Sequence, residues 1–367
     1  MPDMRFAPPN PLRIADRAAG LNATSVRSYN ERLLLSLLLQ NNGITRLEIG
    51  ESTGLSAQTV SVLVRSLEQE GLVVKGKAQK GRVGPPTTPV SLNPEGAYSV
   101  GISIGNKRSH IVLIDFVGTI RFHATLPNPE PNSKSNHPEF LETIQRALEA
   151  LPKGTQDRLA GIGLALPESR SGLVAGRSES KHKYAALQDE IEKEIGHAVF
   201  VQNDITAAAA GESMFGSAKP HADHLYFYLG HELHSRLVLN HQIYNGNSPL
   251  SFDIGLSALE RRVIAGRLPA EPIWDRPLSW PDYGEALLRW EDELIDSMRG
   301  SIAALAQFVE IKTVILSSYI PEDICRDLCA KLGALLPNVM VVAGKSSPSP
   351  KAVGAASLPF SSRFMVE

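Results

Sequence analysis

Cysteine is almost missing from this chain: 367 residues carry two, Cys325 and Cys329. They lie one helical turn apart, where pairing within a helix is awkward, so a secreted disulfide framework is excluded and a cytoplasmic location is expected. No apolar run approaches the ~18–20 residues that cross a bilayer. The densest, Leu33 to Leu39, is short and broken by Ser36. A dominant charge is lacking as well. The net charge is −2, so any affinity for nucleic acid has to come from a local patch. The first twenty residues hold Pro2, Pro8, Pro9 and Pro11 and no apolar signal-peptide segment, and they read as a loose tail. With 43% hydrophobic residues the chain has room for two or three domains and a substantial core.

What is present is concentrated first between Asn30 and Leu92. An apolar helix from Asn30 to Gln40 is closed by Asn41-Asn42-Gly43. Thr45 and Glu48 then have the spacing of a capping box that opens a second short helix. After the tight turn Thr53-Gly54-Leu55, Ser56 can cap a third helix in which Val60, Leu63, Val64 and Leu67 recur at i, i+3, i+4 and i+7. Gly71 stops it, and Leu72-Val73-Val74 predicts a strand. Two short helices joined by a glycine-bearing turn, the second amphipathic, form a helix-turn-helix pattern.

The outward face of the third helix carries Gln58, Thr59, Ser61, Val62 and Arg65. Such groups suit a DNA groove, since Gln pairs with adenine through both ends of its amide and Arg grips guanine or phosphate. Beyond the strand, Lys75, Lys77, Lys80 and Arg82 lie in a Gly- and Pro-rich run without a carboxylate. A basic hairpin of this kind is a wing that neutralises phosphates. Ser56, Gln58, Thr59, Ser61, Arg65, Lys75, Lys77, Lys80 and Arg82 are therefore the DNA-binding candidates.

From Ala97 the texture becomes strand and helix alternation. Three strands between Tyr98 and Thr125 predict an antiparallel meander. A helix from Glu139 to Leu151 follows, then the buried strand Leu159 to Leu166, a helix near 185–195, the strand His197 to Val201 and a helix from Ile205 to Phe215. A second lobe repeats the logic. It has a meander at 224–244, a long helix from Tyr283 to Phe308, the strand Lys312 to Leu316, a helix Pro321 to Leu335, the strand Asn338 to Val342 and a terminal helix from Pro350. The expected fold class is α/β, with an N-terminal winged helix-turn-helix before a two-lobed, ribonuclease H-like (actin- and sugar-kinase-like) body. The expected division is a tail over 1–28, the DNA-binding module over 29–94 and the body over 95–367, with lobes at about 95–220 and 221–367. A cleft between such lobes is the natural ligand site.

Three segments are similar to the ROK family (repressors, open reading frames and kinases), in particular its repressor branch: Thr53-Gly-Leu-Ser-Ala-Gln-Thr-Val60, Gly161-Ile-Gly-Leu-Ala-Leu-Pro167, and Val201-Gln-Asn-Asp-Ile-Thr-Ala-Ala-Ala-Ala-Gly-Glu212. The last resembles the segment that sets the kinases' catalytic Asp against a sugar hydroxyl, which implies sugar contact for Asn203 and Asp204. The departures are equally specific. Ser103 stands where family kinases have the Asp of Asp-x-Gly-(Gly/Thr)-Thr. Gly230-His231-Glu232-Leu233-His234 replaces the second phosphate loop, and Ser317-Ser318 replaces the Gly-Gly of the adenosine segment. A glutamate repels transferring phosphates and bulky side chains block backbone approach to them. The zinc signature is missing too, with Leu256 at the place of its His and no cysteine nearby.

The resemblance and these losses imply a DNA-binding regulator, most simply a repressor of carbohydrate-related genes, with no catalytic residue, no cofactor and no metal. Its expected partners are double-stranded operator DNA, a sugar-like effector and its own copies as a homodimer or homotetramer, without a membrane. The effector-site candidates are Asn203, Asp204, Asp253, Glu212 and Glu168. Asn203 and Asp204 follow a buried strand and precede a helix, where α/β proteins place ligand groups, although an Asp there can also simply cap the helix. His221, His224, His231 and His234 match no zinc spacing. The rival readings are a ligand-independent scaffold body and an active sugar kinase.

Overall fold

The computed structural model describes residues 23–41, 43–78, 87–105, 107–128, 138–167, 184–244, 253–274 and 279–366. Lys80, Arg82 and Glu168 lie outside these residues, as does the expected tail up to residue 22.

The front of the chain forms where leucines cluster. Helix α1 (Ala23–Gln40) begins seven residues before the expected Asn30 and buries Leu34, Leu35, Leu38 and Leu39. Helix α2 (Arg46–Thr53) starts on the capping box: the Thr45 side chain accepts from the Glu48 amide at 3.3 Å, and the Glu48 carboxylate accepts from the Thr45 amide at 2.7 Å. Gly54 ends it at φ 71°, a left-handed turn that costs little for a residue without Cβ. Helix α3 (Ala57–Gln69) is capped by Ser56, whose Oγ accepts from the Thr59 amide at 3.1 Å, and it buries Val60, Leu63, Val64 and Leu67 as the periodicity predicts. Strands β1 (Val73–Lys75) and β2 (Val90–Leu92) pair antiparallel, and Ile44 bridges Val90. This is a winged helix-turn-helix.

The body follows. Strands β3 (Tyr98–Ile104), β4 (Arg108–Asp115) and β5 (Ile120–Pro127) form the expected meander, and helix α4 (Pro138–Glu149) returns the chain to β6 (Leu159–Leu166). Helix α5 (Ala185–Ile195), strand β7 (Val199–Asn203) and helix α6 (Asp204–Phe215) complete one lobe. Among the described residues its five strands are ordered β5-β4-β3-β6-β7, with β3, β6 and β7 parallel. The second lobe repeats this with β8 (His224–Leu229), β9 (Leu233–Leu239), β10 (Gln242–Ile243), helices α7 (Leu256–Ala265) and α8 (Glu285–Leu305), β11 (Thr313–Ser318), α9 (Glu322–Leu335) and β12 (Met340–Ala343). Its order is β10-β9-β8-β11-β12, again a meander joined to parallel strands. Helix α7 carries no element in the sequence reading, because it starts at Gly255 with no side-chain cap to announce it.

The last helix, α10 (Pro350–Phe364), corrects the simple division of lobes. Chain order groups it with 221–367, yet it packs on β3 and β6 of the first sheet and on α6. Glycines and alanines cause this. A Cβ on Gly101 would fall inside contact with the Ala352 carbonyl oxygen, one on Gly163 inside contact with the Ala355 carbonyl, and one on Gly354 inside contact with the Ala207 carbonyl. Backbone meets backbone, at a packing density that tolerates no added methyl. At its far end α10 reaches the front module: Arg32 donates to the Ser362 carbonyl at 2.7 Å, and the Val366 amide donates to Ser36 Oγ at 3.0 Å. Leu34, Leu38, Val64, Phe116, Phe360 and Met365 belong to one apolar cluster that crosses this junction.

Replacing Gly163 by Ala is expected to destabilise the body by about 3 kcal/mol, the cost of overpacking against backbone. Gly300→Ala, in an exposed turn of α8 with open space at its Cβ, is expected to stabilise by ~0.5–1 kcal/mol. Urea unfolding followed by circular dichroism checks both, and equal effects would contradict the packing described for α10.

Candidate functional site

Two surfaces collect the chemistry. On the front module, Gln58, Val62 and Arg65 project from α3 into solvent, with Thr59 and Ser61 half-buried between them. Ser56 and Thr59 serve the cap, their hydroxyl oxygens 2.9 Å apart. Lys75 is held by Glu68 at 2.5 Å, which ties the wing strand to α3, while Lys77 is exposed just beyond. With Glu68 taken by Lys75, the Arg65 guanidinium makes no ion pair among the described residues.

The second surface is a cavity of about 290 Å³ between the lobes. Its first wall comes from the β3–β4–β5 end, with Ser103, Gly105, Lys107, Arg108, His110 and His123. The opposite wall is Tyr228, Gly230 and His231 from the β8–β9 turn, with Trp274 and Tyr319, and Ser349, Pro350 and Lys351 at the start of α10 close it. Ser103, at the position of the kinase Asp, is buried in this lining. His231 stacks on Trp274 with centroids 5.7 Å apart, Trp274 Nε1 donates to Glu260 at 2.7 Å, and Lys107 sits 5.3 Å from the Trp274 ring centre. An aromatic and cationic bridge thus fills the mouth of the β8–β9 turn. His110 and His123 stack in the first wall with ring nitrogens 3.2 Å apart. His224 is buried, and burial pushes its imidazole down to about 4, so it stays neutral.

The effector candidates separate. Asn203 Oδ1 caps α6, accepting from the Ile205 and Thr206 amides at 2.9 and 3.1 Å, and also accepts from Arg236 at 3.0 Å. Asp204, in the first turn, is buried and ion-paired with Lys351, whose ammonium lies 4.6 Å from the centre of the Tyr228 ring. Of the described candidates, Asp204 is the one tied directly to the cavity lining. Glu212 is fully buried at the other end of α6. Its carboxylate accepts from Ser317 Oγ at 3.1 Å and from the Ser346, Ser217 and Lys345 amides at 2.7, 2.9 and 3.3 Å. Four donors occupy the roughly four lone-pair sites of a carboxylate, so Glu212 fastens the structure and has none left for a ligand. Asp253 is exposed, pairs with Arg261 at 3.1 Å, and lines a separate open depression with Ile254 and Glu293. Ser317 and Ser318 are used internally, the latter donating to the Leu229 carbonyl at 2.7 Å.

Lys107, Arg108, Trp274 and Lys351 carry no signal in the sequence reading. The one available clue is Lys351 itself, since a cation in the first turn of a helix opposes the dipole and needs a partner.

Residues 99–345 match the ROK family profile. The chain belongs to the ROK family. Residues 27–74 match a profile described as winged helix-turn-helix DNA-binding. The xylose repressor of Bacillus subtilis (strain 168) is 30% identical over 244 residues, covering 63% of this chain and 61% of the repressor's own length. Among solved structures, a ROK family transcriptional regulator, a homologue of the E. coli MLC protein, superposes with a TM-score of 0.64 at 17% identity, covering 91% of this chain and 96% of that one. A ROK family glucokinase from Streptomyces griseus, solved with glucose and AMPPNP, gives 0.52 at 17% identity over 71% of this chain and 99% of its own. These two likenesses establish the fold, which regulators and kinases of the family share.

Lys351→Met strands the Asp204 carboxylate in a buried site and is expected to cost about 3–5 kcal/mol. Adding Asp204→Asn to that variant should recover part of the loss, and a double-mutant cycle from thermal unfolding measures the coupling. Strictly additive losses would deny that the pair interacts.

Proposed function

We propose that this ROK protein is a sequence-specific DNA-binding transcriptional regulator, a repressor of carbohydrate-related genes relieved by a sugar-like effector in the interlobe cleft. The observation that carries the reading is the α3 face on which Gln58 and Arg65 are exposed and Thr59 and Ser61 half-buried, in a winged helix-turn-helix whose core continues into the body. Side chains of this kind at the start of a recognition helix read base edges, with the wing on phosphate. The name of the Bacillus subtilis relative, a xylose repressor, supports the same direction. Kinase activity is disfavoured by Ser103, by the His231–Trp274 stack and by Lys351 on Asp204. A cytoplasmic homodimer or homotetramer reading a palindrome is the arrangement such modules adopt.

The proposed route of control is helix α10. Its first turn carries Lys351 and lines the cleft, while Ser362 in its last turn and Met365 and Val366 just beyond it hold α1. An effector that favours one interlobe angle shifts α10, and with it the spacing of two front modules on an operator.

Gel shifts with the DNA upstream of the gene test the reading. Salt-sensitive binding is expected, weakened ~5–150-fold by Arg65→Ala through the loss of ~1–3 kcal/mol, and absence of binding to any genomic fragment at low salt refutes it. Arg32→Ala with Ser36→Ala should leave operator affinity within about twofold and blunt its response to effector. A coupled ADP-release assay over a hexose panel should be flat, and turnover abolished by Asp204→Asn would reverse the assignment.

A further inference from the structure

We propose that Val62 is the residue through which α3 reads a thymine, its side-chain methyl groups seated against the thymine 5-methyl group in the major groove. The inference rests on the reading of the front module as a DNA reader and deepens it to the level of one base pair. Val60, Leu63, Val64 and Leu67 of α3 are at most 3% exposed, whereas Val62 is 57% exposed and lies outside the apolar cluster that α3 joins. An exposed β-branched residue gains no packing there, keeps apolar surface in water and lowers the propensity of its helix. Local rules broken without a packing gain concentrate at functional positions.

Helical spacing sets the neighbours of Val62. Gln58, Ser61, Val62 and Arg65 fall at i, i+3, i+4 and i+7, on one face of α3. Gln58 and Arg65 are exposed to either side, and Ser61 is half-buried beside it. No carboxylate occurs from Ala57 to Leu67. The two that follow are engaged, Glu68 with Lys75 at 2.5 Å and Glu70 accepting from Ser66 Oγ at 3.1 Å. A protein partner would call for a contiguous apolar patch, but the neighbours of Val62 on this face are polar. That mixture matches base edges. In the major groove thymine alone among the four bases presents a methyl group, and adenine presents the donor and acceptor that Gln58 can take with both ends of its amide. Residues four apart on a helix are separated by about 6 Å along its axis, and bases stack about 3.4 Å apart. The thymine read by Val62 therefore falls within two base pairs of the adenine read by Gln58 in each half-site.

Gel shifts of the full chain on the shortest bound fragment test this, with each thymine replaced in turn by deoxyuridine, which deletes the methyl group and keeps every hydrogen-bonding atom. Expected is one position in each half-site, within two base pairs of an adenine, where the change weakens wild-type binding about fourfold, the factor for one buried methyl-sized group. Val62→Ala loses that contact in both half-sites, so it should bind the thymine fragment about fifteenfold more weakly and be indifferent to deoxyuridine at those positions. Its salt dependence should equal that of the wild type, because no phosphate contact is lost. Alanine at an exposed helix position is the better helix former, so the variant is expected to fold. Gln58→Ala should weaken binding and stay sensitive to the missing methyl group. Deoxyuridine without effect at every position, unchanged binding by Val62→Ala, or a Val62→Ala variant that keeps the methyl sensitivity would each overturn the proposal. Dissociation of the oligomer by Val62→Ala with that sensitivity intact overturns it as well, and makes the face a protein contact. If the wild type binds no fragment, the regulator reading itself fails; if it binds one and no methyl group is read, this inference alone fails.

Discussion

Everything in the body is hung on the close approach of α10 to the first sheet. Gly101 and Gly163 remove two side chains from the sheet surface, and Gly354 with its alanine neighbours removes them from the helix, so main chain rests on main chain. A helix seated this closely cannot rotate or slide without breaking contact along its length, because packed interfaces have discrete arrangements rather than a continuum. The consequence is geometric. One fifteen-residue helix has Lys351 in the interlobe cleft at one end and the carbonyl of Ser362 on Arg32 of the front module at the other.

The cleft end of that helix carries a clear departure from the kinase-like pattern. In the resemblance that the sequence suggests, the Asp204 position faces a substrate hydroxyl; here it faces an ammonium from α10. The pair is buried, so its attraction is offset by desolvation, and its main effect is to fix α10 against α6 rather than to add net stability. Glu212 does the same at the opposite end of α6, with one donor from β11, two from the segment before α10 and the Ser217 amide just after α6. The two carboxylates thus anchor the junction of the lobes.

The fold was legible because it is written in local patterns. The capping box at Thr45 and Glu48, the Ser56 cap and the four buried positions of α3 are short-range signals, and each stands where the spacing puts it. Strand positions in both meanders followed from apolar runs and turn residues. Helix α7 was invisible because it lacks a side-chain cap, and the true start of α1 because Ala23 to Tyr29 offers little apolar periodicity. The site was harder for a different reason. Lys107 and Trp274 are 167 positions apart in sequence and meet through tertiary structure alone. Glu212 looked like a ligand group because the motif ends on it, and only the approach of Ser317 and the 345–346 amides reveals that its oxygens are spent.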